Sequence, residues 1–178
     1  MNPGEPQRIE LRLRELAQLF NSLDPSPFLE RDLDADAEEF IVGWAREVHL
    51  GHELALVVHL AEMPPPDRAA SAGEAVRHYF STRAEMKQRE FRLLMRRGRV
   101  SLVVGLLFLA VCLALEKLIL GLAQGPFGAI VATGFTIVGW VAMWRPLEIY
   151  LYNWWPVREE RRNYERLACM AVRLVPPA

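Results

Sequence analysis

The sequence predicts a mainly α membrane protein, a two-helix transmembrane hairpin carrying a small α+β cytoplasmic N-terminal domain. Three observations carry this reading. Two long uncharged apolar stretches lie close together late in the chain. Arginines crowd the outer ends of both, and two short segments upstream alternate or concentrate apolar residues at strand length. With 178 residues, the chain has room for one small folded unit beside the spans.

The net charge of −1 conceals a segregation. Residues 1–82 hold seven Lys/Arg against fifteen Asp/Glu, and residues 83–99 hold seven against two. Residues 100–144 hold only Glu116 and Lys117, and residues 145–178 hold six basic against four acidic residues. The expected organisation follows these breaks: an acidic domain over 1–73, a basic helical stalk over 74–99, a first span over 100–123, a turn over 124–126, a second span over 127–144, and an interfacial and cytoplasmic tail over 145–178.

In the first domain, Ile9, Leu11 and Leu13 interleave with charged residues. This is the period of a half-buried strand, although Ile9, Leu13, Leu16 and Phe20 also fit a helix. Leu54 to Leu60 (LALVVHL) reads as a second strand. Asp24-Pro25-Ser26-Pro27 marks a loop between them. Ala37 to Val48 predicts a helix, with Asp36 and Glu39 as its capping pair and Phe40, Ile41, Trp44 and Val48 on one face. Met63 to Gly73, rich in Pro and Ala, reads as a flexible connector. A long helix is expected from Glu74, running into the first span with a bend at Gly98.

Val100 to Leu115 is sixteen residues without a charge, and apolar character resumes from Leu118 to Ala123. At about 1.5 Å per residue these lengths suit a hydrocarbon core about 30 Å thick, which puts Glu116 and Lys117 at the far interface. Gln124-Gly125-Pro126 reads as a turn. Phe127 to Trp144 is a second uncharged stretch, closed by Arg145 and Pro146. Arg96, Arg97, Arg99 and Arg145 flank the spans on one side, and the positive-inside rule then puts both termini in the cytoplasm. Trp140, Trp144, Trp154 and Trp155 are expected at the same interface. A surface helix over Leu147 to Trp154, ended by Pro156, and a charged helix over Val157 to Arg173 complete the tail. Within the spans, Ser101 with Gly105, Ala110 with Ala114, and Gly128 with Ala132 and Thr136 form small-residue faces suited to close helix packing.

Candidate chemistry is sparse. Asp32, Asp34 and Asp36 resemble the start of a calcium loop, but its sixth and twelfth positions are Ala37 and Gly43 instead of Gly and Glu. His49, His52, His59 and His78 lack metal-ligand spacing with a second pair or a Cys. Ser22, Ser26 and Thr82 stand in no nucleophile motif, and no phosphate-binding glycine loop occurs. Arg96-Arg97-Gly98-Arg99 suits lipid headgroups better than nucleic acid. Cys112 and Cys169 form no disulfide framework, and the polar Met1 to Glu10 reads as no cleavable signal. No cofactor, metal or catalytic residue is expected.

Over RDLDADAEEFIVGWARE (Arg31 to Glu47), WRPLEIYLYNWWP (Trp144 to Pro156) and FNSLDPSPF (Phe20 to Phe28), the chain resembles an uncharacterised family of small bacterial two-span inner-membrane proteins. The resemblance implies a bacterial inner membrane and supplies no functional residues. The expectation is a non-enzymatic accessory or scaffold protein whose partners are the lipid bilayer and another protein or further copies of itself. A small homo-oligomeric transporter or channel is the alternative.

Overall fold

A computed structural model describes residues 6–49, 51–122 and 125–176. Gln124 of the expected turn lies outside the described residues. The chain is mainly helical, with two long apolar helices able to cross a membrane and a small three-stranded parallel sheet. It divides into two compact units, one of residues 1–88 with 159–178 and the other of residues 89–158.

The first unit begins with strand β1 (Gln7–Glu15), where Ile9, Leu11 and Leu13 turn to the core and Arg8, Glu10, Arg12 and Arg14 are exposed. A loop follows, closed where Asn21 N–H donates to Asp32 O (2.8 Å) and Asp34 N–H to Leu19 O (3.0 Å). The Asp24 carboxylate braces it, accepting from Asp32 N–H at 2.7 Å and Ser26 N–H at 2.9 Å. These backbone donors hold Asp24 below the ordinary carboxylate pKa range.

Helix α1 (Ala35–Glu47) is capped by Asp34, whose carboxylate accepts from Asp36 N–H at 3.0 Å. The cap is therefore two residues earlier than Asp36. The buried face also differs from the expected one. Ala37, Ile41, Val42 and Ala45 are buried, while Phe40 and Trp44 are about two-fifths exposed, because close approach to the sheet selects the smaller side chains.

Strand β2 (Leu54–Glu62) pairs with β1 in parallel register, Ile9 opposite Leu56 and Leu13 opposite Leu60. Helix α2 (Pro66–Leu122) then starts at once. Residues 66–73 are thus helix and not a flexible connector. Alanine is the strongest helix former, and fully buried Ala72 and Ala75 allow a tight approach. A Cβ on Gly73 would touch the Val172 side chain at 3.5 Å. The helix also runs through Gly98 without interruption.

The third strand comes from the far end of the chain. Helix α5 (Trp154–Ala168) stops before Met170, and β3 (Ala171–Val175) pairs parallel to β2, Leu56 opposite Val172 and Val58 opposite Leu174. This corrects the helix expected to Arg173, because AVRLV alternates with period two and turns Val172 and Leu174 to the core. Pro156 is the third residue of α5, so it opens that helix instead of ending one. Phe80, Ile9, Leu19, Ile41, Leu56, Leu60 and Leu167 are fully buried in a core on one face of the sheet.

In the second unit, the apolar part of α2 lies against helix α3 (Pro126–Ala142), α4 (Trp144–Glu148) and a π-helical turn over Ile149–Asn153. The break at Met143 is local. Pro146 lacks the N–H that would bond Ala142 O, and Met143 N–H turns back to Trp140 O at 3.0 Å.

Candidate functional site

The helical pair of the second unit is antiparallel. A Cβ on Gly139 would lie 2.9 Å from Leu109 Cδ1 and 3.0 Å from Cys112 Cβ, and one on Gly105 would lie 3.2 Å from Met143 Sδ. One on Gly98 would lie 2.9 Å from Ile149 Cγ2. The buried row Gly98, Gly105, Cys112 repeats every seven residues, and so does the facing row Ala132, Gly139, Pro146. A seven-residue repeat keeps one seam of each helix against its partner. Of the packing residues read from sequence, Gly105, Gly128 and Ala132 are buried, and Ser101 and Thr136 are half-buried. Ala110 and Ala114 are exposed. Gly98, Cys112 and Gly139 belong to no set of small residues four apart; what marks them in the sequence is a spacing of seven.

The outward surface of this pair is apolar. Val103, Val104, Leu107, Ile130, Val138 and Val141 are all more than half exposed. The most apolar 18-residue window of α2 is only 11% buried, and that of the helix pair's other arm 22%. A core helix of a water-soluble protein would bury most of such a window. The two threonines turn their hydroxyls back on their own helix, Thr133 Oγ1 to Ala129 O at 2.9 Å and Thr136 Oγ1 to Ala132 O at 3.5 Å.

Arg96, Arg97, Arg99, Trp140, Trp144, Arg145 and Trp155 are exposed. Trp154 is half-buried, donating its indole N–H to Tyr150 O at 2.7 Å with the Arg158 guanidinium 5.5 Å above its ring. Arg145 pairs with Glu148 at 2.8 Å.

Two polar clusters hold the first unit together. Glu38 of α1 accepts from Tyr79 Oη (2.7 Å) and Arg83 (2.8 Å) of α2 and from Tyr164 Oη of α5 (3.3 Å). Burial first, and the neighbouring Glu38 carboxylate next, push the Tyr79 phenol well above its ordinary pKa, and Tyr164 is raised in the same way. Both therefore remain hydroxyl donors. Arg166 of α5 donates to the carbonyls of Ala45, Val48, His49 and His52 and to Asn163 Oδ1, at 3.0–3.3 Å. It gathers orphan carbonyls where α1 ends, where a cation also suits the helix dipole.

Among the described residues, no group of three or more His, Cys, Asp or Glu is placed to hold a metal ion. His49 and His52 stand edge to face at 6.3 Å, His78 is exposed, and His59 lies on the outer face of the sheet beside Glu10 at 3.8 Å. Asp34 caps a helix, and the Asp32 main chain is bound by Asp24.

That outer face is the most distinctive surface of the first unit. Arg8, Glu10, Arg12 and Arg14 of β1, Ala55, Val57, His59 and Ala61 of β2, and Ala171, Arg173 and Val175 of β3 lie on it, and none joins the core cluster. All-parallel sheets are normally covered on both faces, whereas among the described residues the helices of this unit pack into the core cluster on the other face alone. No family model, curated protein or solved structure matches the chain.

Proposed function

We propose that the chain is a non-enzymatic accessory or scaffold protein of the bacterial inner membrane. The helical pair anchors it as a transmembrane hairpin, and the sheet-bearing unit meets a partner protein in the cytoplasm. The observation that carries the reading is the pair's surface: the apolar side chains face outward and the small ones face inward. In water such an arrangement exposes a large apolar area, whereas in lipid it is the favourable one. Arginine on the flanks, against a lone Lys117 near the connecting turn, supports cytoplasmic termini. The open parallel sheet supports a partner-binding role. A homo-oligomeric channel has less to recommend it, because Thr133 and Thr136 spend their hydroxyls on their own helix.

The test is extraction from membranes at native expression levels, followed by mass measurement of the intact species. The reading expects the protein to resist alkaline carbonate and to leave the membrane in mild detergent together with a second protein. Release by carbonate contradicts the anchor. A homogeneous species containing only this chain contradicts the accessory role.

A further inference from the structure

Resting on that reading, we infer that the outer face of the sheet docks an acidic amphipathic helix of the partner, which supplies the second helical layer that this parallel sheet lacks. The face is three strands wide, with about 10 Å between its outer strands, close to the diameter of one helix with its side chains. Its centre is small and apolar: Ala55, buried, Val57, half-buried, and Ala61, exposed, run down β2. Such side chains let a helix come close.

Charge selects the occupant. Arg8 and Arg12 stand on β1, opposite Ala55 and His59, and Arg173 stands on β3 opposite Val57. The three guanidinium-bearing residues thus flank Val57, with Glu10 directly opposite it on β1 between Arg8 and Arg12. All three are exposed, and among the described residues none has an ion-pair partner. Arg14 is paired with Glu62 at 3.2 Å, and Glu10 stands 3.8 Å from His59, an ion pair only when the imidazole carries a proton. Arg8, Arg12 and Arg173 against the one carboxylate of Glu10 leave the face net positive. Four residues along β1 separate Arg8 from Arg12 by about 13 Å, and carboxylates eight residues apart on a helix are about 12 Å apart. One acidic flank thus spans both arginines, and an acid on the other flank reaches Arg173. Charged side chains also guard strand edges against edge-to-edge pairing, but that role leaves the open face itself unexplained.

The experiment uses the full chain in nanodiscs and a fluorescent 18-residue helical peptide with a Leu/Ala stripe and Glu flanks. The expected result is saturable binding, weakened about tenfold or more when the flanks are Lys or when the stripe is Ser. In the variant Arg8→Glu, Arg12→Glu, Arg173→Glu, all at exposed positions, the preference should reverse toward the Lys-flanked peptide. Equal binding of both peptides, a preference untouched by charge reversal, or no binding overturns the inference. A photoreactive residue at Val57, used in native membranes, separates the two readings. A cross-link to a partner that survives the charge reversal overturns the acidic helix while leaving the accessory role standing. Loss of the cross-link on reversal supports both.

Discussion

Gly139 sits directly against Cys112 across the helical pair: a Cβ on Gly139 would lie 3.0 Å from the Cys112 Cβ, tighter than nearly all side-chain contacts. Because the obstructing atom is a Cβ fixed to its backbone, only a shift of the helices relieves it. Gly139→Val should therefore cost about 1–3 kcal/mol and lower the thermal midpoint in detergent. Gly134→Val, on the same helix with nothing within 4 Å, should change it little. Equal loss in both variants would mean that the Gly98, Gly105, Cys112 seam does not hold the pair.

Arg166 predicts a local effect. Its guanidinium collects four main-chain carbonyls around the end of α1, a fork that a lysine ammonium does not reproduce. Arg166→Lys should destabilise the first unit by about 1–3 kcal/mol. Hydrogen exchange should quicken most over residues 45–54. A uniform change across the unit would contradict the clamp.

The raised phenols give an alkaline prediction. A phenol raised in the folded state contributes stability that is whole below its unfolded pKa of about 10, and that contribution fades as the pH climbs toward the folded value. The first unit should therefore lose stability above about pH 10. Tyr79→Phe should cost about 1–2 kcal/mol at neutral pH by removing the hydroxyl that bridges Arg83 and Glu38. It should also flatten the alkaline loss, which a pH series of thermal melts would read directly.

The fold was legible where the residue pattern matches the period or length of an element. Ile9, Leu11 and Leu13 alternate against charges and form β1; the apolar LALVVHL run forms β2. The two uncharged stretches form helices close to the expected extent. Illegible were features set by partners distant in sequence. Val172 and Leu174 look like the end of a charged tail until β2 stands beside them. Ala72 looks like part of a linker until its full burial in the core is seen to let α2 close on the sheet. Gly139 marks a contact only once Cys112 is known to face it. The open sheet face was equally hidden, because Arg8, Arg12 and Arg173 share a surface only through the register of three strands.

The central claim, a hairpin that crosses the membrane with the sheet-bearing unit in the cytoplasm, is tested most directly by thiol labelling of intact cells. Cys169 is exposed in the sheet-bearing unit and Cys112 is buried, so the natural sequence carries its own reporter. The substitution Gly125→Cys puts a second reporter at the start of α3. An impermeant maleimide should label the thiol introduced at position 125 from outside, and Cys169 only after the membrane is opened. Labelling of Cys169 in intact cells, with position 125 protected, would contradict the account.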